Sequence, residues 1–238
     1  PGYNSIIGED KATIGRIMRD NGYSTAWFGK DHNVPAFAAS QAGPFDQWPI
    51  GMGFEYFYGF VGGDSNQWQP NLFRNTTQIF PFAGKPQWNL ITGMADDAID
   101  YLNRMNQINP AKPFFVKYAP GATHAPHHPT KEWVAKIAAM HLFDEGYNKL
   151  RDQIFANQKK LGVVPADCEL TTRHDEIPAW DGVPDDLKPI LARQMEVYAG
   201  FLEHTDHHIG RLIDAIDDLG LLEGTLVYYI IGDNGASA

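Results

Sequence analysis

Three short, nearly continuous apolar runs, Tyr23–Phe28, Pro113–Ala119 and Thr225–Ile231, alternate with stretches of helical periodicity. A strand that is apolar at successive positions must be covered on both faces, which is the situation of a parallel sheet packed between helices. The last run is the clearest strand, rich in β-branched and aromatic residues and bracketed by Gly224 and Gly232. Between the runs, Gly8–Asn21 reads as a helix with Ile14, Ile17 and Met18 as its apolar stripe, stopped at Asn21-Gly22. Thr92–Gln107 reads as a second, with Thr92 as candidate cap. Polar helical segments are expected near 130–138 and 147–160. Across Asp185–Leu219, Met195, Tyr198, Leu202, Thr205, Ile209, Leu212, Ile216 and Leu219 recur at spacings of three and four, one face of an amphipathic helix with room for a single break. The expected class is therefore α/β, a mostly parallel sheet between helices.

Residues 31–91 lack sustained periodicity and are punctuated by six prolines among Trp48, Phe54, Tyr56, Phe57, Tyr58, Phe60, Trp68 and Trp88. A long irregular stretch is held by its own packing or used for binding. It is read here as a loop-rich aromatic insertion, a pocket wall with short strands near Thr76–Phe80, within one catalytic domain.

Composition removes several function classes. The 238 residues, 43% hydrophobic and 20% charged, are those of an ordinary globular chain. With 29 acidic against 19 basic residues the formal charge is -10, which opposes nonspecific nucleic-acid binding while leaving room for a locally positive anion pocket. No run approaches the roughly 18 apolar residues of a membrane span. A single cysteine, Cys168, rules out an internal disulfide and all-cysteine zinc sites. Pro1-Gly2-Tyr3 shows no start methionine or leader pattern, and the other end falls directly after an apparent central strand, so both ends read as cuts in a longer chain.

Open α/β sheets bind ligands outside the carboxyl ends of their strands. A polar cluster follows each of the three apolar runs: Lys30-Asp31-His32, then Thr123–His128, then Asp233-Asn234. All three are expected at one edge. Lys30 and His32, two positions apart in extended chain, point to the same side; a lysine there can hold an oxyanion and a histidine can transfer a proton near neutrality. Asp233 and Asn234 offer oxygen donors suited to a hard cation such as calcium or magnesium, although two adjacent ligands do not complete its shell.

Each cluster also has a plainer reading. Asp-Asn-Gly is a turn signal, and Lys30 with His32 could be a surface lysine beside a hydrogen-bonded ring. His124, His127 and His128, on a path fixed by Pro126 and Pro129, are open to zinc binding, to acid–base or oxyanion work, or to structural hydrogen bonding. His204, His207 and His208 read as structural or surface residues: His204 and His208 share a helix face, but there is no His-Glu-x-x-His arrangement. Asp206 is assigned no chemistry, and Cys168 reads as an inert thiol.

Taken together and in order, the motifs resemble those of formylglycine-dependent sulfatases of the bacterial arylsulfatase type, within the alkaline-phosphatase-like superfamily. Gly29-Lys30-Asp31-His32 resembles the Gly-Lys-x-His segment, Ala125-Pro126-His127-His128-Pro129 the Ala-Pro-His-x-Pro segment, and Gly232-Asp233-Asn234-Gly235 the Asp-Asn-Gly metal motif. Ala42–Asp46, Gly53–Phe60 and Met195–Phe201 are similar to runs in the same family, so the likeness spans essentially the whole chain.

The resemblance implies an alkaline-phosphatase-like fold that hydrolyses small-molecule or carbohydrate sulfate esters. It implies calcium held by Asp233 and Asn234, with Lys30 contacting the formylglycine side chain and the sulfate. His32 would take a proton from the formylglycine hydrate, and His127 would contact the sulfate near the leaving oxygen. His124 and His128 match no required role. The chain departs from the full pattern because no Cys/Ser-x-Pro-x-Arg nucleophile motif is present: Cys168 is followed by Glu169-Leu170-Thr171-Thr172-Arg173. The nucleophile, the early metal aspartates and the later sulfate-binding lysine are expected before Pro1 and after Ala238. The isolated chain is accordingly expected to be inactive and a poor calcium binder. The superfamily also includes phosphate and phosphonate monoester hydrolases and non-catalytic binding relatives, which these motifs leave as alternatives.

Overall fold

The computed structural model describes residues 6–232. Two of the expected strands form where their apolar runs place them, β1 at Ser24–Asp31 and β5 at Phe114–Ala119. The stretch read as an irregular insertion supplies the others: β2 at Tyr56–Val61, β3 at Leu72–Arg74 and β4 at Thr77–Ile79. Among the described residues the sheet order is β4-β3-β2-β1-β5, with β1 parallel to both β2 and β5. β3 and β4 add an antiparallel hairpin to β2. Its two-residue turn carries Asn75 at φ 55, a left-handed conformation asparagine tolerates. The Asn75 side chain accepts from the Phe57 amide at 3.0 Å, which ties the turn to β2.

Residue parity divides the sheet into two faces. Ala26, Phe28, Tyr58 and Phe60 pack with Leu90, Met94, Ala98 and Leu102 of α2 (Leu90–Ile108) and with Leu212 and Ile216 of α5 (Lys188–Asp218). On the other face Trp27 and Phe57 meet Trp48, Phe54 and Phe73, so this face is covered by an aromatic loop rather than a long helix. Edge-to-face contacts dominate there, with ring centroids 5.1 Å apart for Trp27–Phe54 and 5.0 Å for Trp48–Phe73. α1 (Ile14–Asp20), capped by Thr13, approaches this layer through Gly15: a Cβ on Gly15 would lie 2.6 Å from the Phe54 ring. The buried side of α1 is thus Gly15, and Ile14 and Ile17 are exposed, the reverse of the expected stripe.

Across the middle of the sheet Gly59, Gly29 and Ala119 lie side by side. Gly29 has φ +102 and a Cβ there would meet the Ala119 carbonyl oxygen at 2.0 Å; one on Gly59 would meet the Gly29 oxygen at the same distance. Only glycine fits at either place.

The chain divides into two compact units, residues 1–128 with 202–238, and residues 129–201. The second holds α3 (Lys131–Ala138), α4 (Gly146–Leu161) and the first part of α5. Its core includes Val134, Ile137, Phe143, Trp180 and Val183. Gly146 lies against the Trp180 ring and the Asn148 side chain accepts from the Trp180 amide at 2.6 Å.

Thr225–Ile231, the run that read most plainly as a strand, joins no ladder among the described residues, and Leu226, Tyr228, Ile230 and Ile231 are exposed. β-Branched and aromatic content raises strand propensity, but a strand exists only where a neighbouring edge takes its hydrogen bonds. No helix among the described residues is long and apolar enough to cross a membrane.

Candidate functional site

Because β1, β2 and β5 are parallel and in register, their carboxyl ends open on one edge. Gly29 faces Ala119 on one side and Gly59 on the other, so residues 30–32, 60–67 and 120–128 all emerge there. The Lys30-Asp31-His32 cluster does not follow the strand entirely: Lys30 and Asp31 are its last two residues and His32 is the first beyond it. Lys30 shares the parity of Phe28 and lies on the α2 face, whereas Asp31 belongs to the aromatic face.

Asp31 is 1% exposed. Desolvation pushes its carboxyl above the usual range, opposed by the Asn33 amide, which donates to Oδ1 at 3.0 Å, and by the charge of Lys117. Lys117 stands 3.3 Å from the Trp27 ring centroid, a cation–π contact, and partial burial lowers its pKa while Asp31 raises it. This acid and base lie behind the carboxyl edge of the sheet. The Asx turn from Asp31 to Asn33 fixes how the chain leaves β1 and thereby carries His32, which is exposed, back over the edge.

The loop after β5 carries the second cluster. His124 donates from Nδ1 to the Ala125 carbonyl at 2.7 Å. His128 is held the other way round: its Nδ1 accepts the Gln67 amide at 3.4 Å, so Nε2 carries the proton. Burial, with the neighbouring His127, lowers the His128 pKa and keeps that ring neutral. His127 stands between these two, its Nε2 shielded from solvent.

One segment of the edge had no signal in the sequence. After β2 the chain runs through Gly62-Gly63-Asp64-Ser65-Asn66-Gln67, and Gly63 lies against His32, where a Cβ would come within 2.9 Å of the ring. At its far end Gln67, 2% exposed, reaches His128 through its amide and accepts the Leu90 amide on its carbonyl at 2.7 Å. Asn89, also 2% exposed, caps α2 by accepting the Ile91 amide at 3.0 Å and donates its Nδ2 to the His128 carbonyl at 3.0 Å. Asn89, not Thr92, is therefore the cap. Its polar, turn-favouring side chain was the available clue, but its second bond, to a residue 39 positions away, had none.

Thr92 has another role. Its hydroxyl lies 3.0 Å from His208 Nε2 and 3.4 Å from His204 Nε2. Arg211 donates to His208 Nδ1 at 2.8 Å and to Asp96 at 2.8 Å, so the neutral His208 ring donates Nε2–H to Thr92. Desolvation first, then Arg211 and His207, hold the His208 pKa down to about 4 despite Asp96. His204 and His208 are buried on the core face of α5, a structural arrangement. Among the described residues no group of three or more His, Cys, Asp or Glu side chains is placed to hold a metal. Cys168 is a free thiol whose Sγ lies 3.8 Å from the Glu169 carbonyl. Asp233 and Asn234, the two expected calcium ligands, lie outside the described residues.

Residues 2–238 match the family model described as Sulfatase. The chain is 28% identical to an uncharacterized sulfatase of Schizosaccharomyces pombe, covering 99% of this chain and 43% of that protein. It is 26% identical to an arylsulfatase of Klebsiella aerogenes, covering 99% and 50%. The chain thus spans about half the length of these curated relatives. Among solved structures it is similar to Ps i-CgsB in complex with k-i-k-neocarrahexaose (TM-score 0.55, 18% identity, 92% of this chain and 39% of that one). It is also similar to BT4656 in complex with its substrate D-glucosamine-2-N,6-O-disulfate (TM-score 0.54, 15% identity, 91% and 48%). These likenesses bear out the alkaline-phosphatase-like fold, a mostly parallel sheet flanked by helices.

Proposed function

Since this chain belongs to the sulfatase family, we propose that the protein carrying it hydrolyses sulfate esters of the arylsulfatase type, with Lys30, His32 and His127 as its catalytic residues in this segment. The observation that carries the reading is the shared edge: Gly29 and Ala119 are paired in register, so Lys30 and the His124–His128 loop leave adjacent parallel strands at the same end.

A formylglycine outside this chain, with a calcium ion held in part by Asp233 and Asn234, would supply the nucleophilic oxygen and the electrophilic pull on the sulfate. The chain's own residues do the rest. Lys30, projecting from the last turn of pleat of β1, neutralises sulfate oxygens as S–O cleavage builds charge on them. His127 delivers a proton to the departing alcohol or phenol oxygen, and His32 removes one from the nucleophilic centre so that inorganic sulfate leaves. The balance is one water consumed, one hydroxyl compound and one sulfate released. Small-molecule and carbohydrate sulfate esters both fit this chemistry.

The test is turnover of an aryl sulfate and the matching aryl phosphate by the full-length protein, with and without chelation and calcium add-back. Faster sulfate turnover that collapses on chelation and returns with calcium is expected. Preferential phosphate turnover would assign a phosphate or phosphonate monoester hydrolase. Inactivity on both, with retained binding of a sulfated sugar, would make it a binding relative.

A further inference from the structure

Three backbone segments that share no secondary structure close into a triangle beside the reacting edge. The Asn89 side chain holds the His128 carbonyl at 3.0 Å, the Leu90 amide holds the Gln67 carbonyl at 2.7 Å, and the Gln67 amide holds the His128 ring at 3.4 Å. Asn89 and Gln67 are each 2% exposed, so water does not replace a lost partner without rearrangement. The Gln67 Nε2 is spent on the Ser65 carbonyl at 2.9 Å, which stiffens the turn between Gly63 and Gln67. The same turn begins against the His32 ring at Gly63. One short strut therefore touches the first proton-transfer histidine at one end and the neighbour of the second at the other.

We propose that Asn89 is a positioning residue for catalysis: through the His128 carbonyl, which its Nδ2 holds, it sets His127 against the leaving oxygen of the bound ester. The assignment rests on the sulfatase reading above. α2 is a long helix packed into the core of the sheet face, so its first residues are among the most rigid points from which a loop can be held. Asn suits the position because it satisfies two demands at once: Oδ1 accepts from the helix, as a cap must, and Nδ2 donates across to the loop. Aspartate meets only the first demand and sets a carboxylate oxygen against a carbonyl oxygen. Serine also caps but does not reach His128.

The experiment compares Asn89→Asp and Asn89→Ser with the wild type in the full-length protein, using aryl sulfates whose phenols span a range of acidity. Both variants are expected to fold, since Asp and Ser cap helices about as well as Asn; if the aspartate does not, the serine variant carries the test. The expected result is a kcat about 10- to 100-fold lower, the size that follows from misplacing a catalytic group by about 1 Å, with KM within threefold. The loss should be greatest for the least acidic phenols, because those need the His127 proton most, so the dependence of kcat on leaving-group acidity steepens. A purely structural role would lower activity equally for every leaving group. Folded variants whose kcat and leaving-group dependence equal the wild type, or fall uniformly across the series, overturn the assignment. A wild type that turns over no aryl sulfate overturns the sulfatase reading instead, and if it turns over aryl phosphates the same series in phosphates then decides the positioning claim.

Discussion

The chain contains the pattern His-x-x-His-His twice, at His124, His127 and His128 and again at His204, His207 and His208. In the first, the run lies on the loop after β5, interrupted by Pro126 and closed by Pro129, and its first and last rings are held by different backbone groups, the Ala125 carbonyl and the Gln67 amide. In the second, the run lies on α5, where the spacing puts His204 and His208 on one buried face and leaves His207 exposed. Identical spacing has opposite consequences. A helix folds the first and last rings into the core beside Thr92; an irregular loop ties them separately to the Ala125 carbonyl and the Gln67 amide. The number of residues between ligand-type side chains is informative only once the backbone between them is known.

The sharpest way to break this contrast is to remove one ring from each run. In the full-length protein His127→Ala is expected to lower kcat/KM for an aryl sulfate by about 100- to 10,000-fold, the usual worth of a positioned acid–base group. His207→Ala should leave it within twofold. Equal effects from the two substitutions would erase the distinction between a reacting loop and a structural helix.

Stability should separate the runs in the other direction. His208→Ala removes the Nε2–H bond to Thr92 and one of the two partners of Arg211 and leaves a small cavity, and denaturant unfolding should report a loss of about 1–3 kcal/mol. His124→Ala, on a surface-facing loop, should cost well under about 1 kcal/mol.

The last effect is a pH dependence. His208 has a folded pKa of about 4, below the usual value of 6.5, so the unfolded chain binds more protons between those two values. Its contribution to stability is complete above about 6.5 and is lost as pH falls toward 4. The slope should be worth on the order of 2 kcal/mol over that window, since the Arg211–Asp96 pair beside it is partly exposed and screened. Unfolding curves of His208→Asn should be flatter over that window than the wild type; an unchanged slope would show that another group sets it.

How far the sequence led differs between elements for identifiable reasons. β1 and β5 were visible because their apolar runs are bounded by polar residues and turns, and α3, α4 and α5 because polar and apolar positions alternate with a helical period. β2 was hidden because Tyr56-Phe57-Tyr58-Gly59-Phe60 is covered on both faces, so aromatic residues occupy both parities and no alternation survives. α5 was found but its face was misjudged: Leu202 is exposed while Phe201, His204 and His208 are buried, because partly polar rings occupy core positions that hydrophobic matching passes over. For the site, Lys30, His32 and the histidine loop stood out as polar residues at strand ends. The 62–67 strut and Asn89 did not, because their work is done by backbone amides, a carbonyl and a cap whose partners are distant in sequence.

The row Gly59–Gly29–Ala119 sets a limit on how such a protein can change. Two of its three members admit no side chain at all, since any carbon placed there would occupy the same space as a neighbouring carbonyl oxygen. The close approach of β1 to β5 and β2 at this row thus leaves no room for a larger residue at Gly29 or Gly59. Variation in this part of the sheet is therefore confined to the loops that leave its strands.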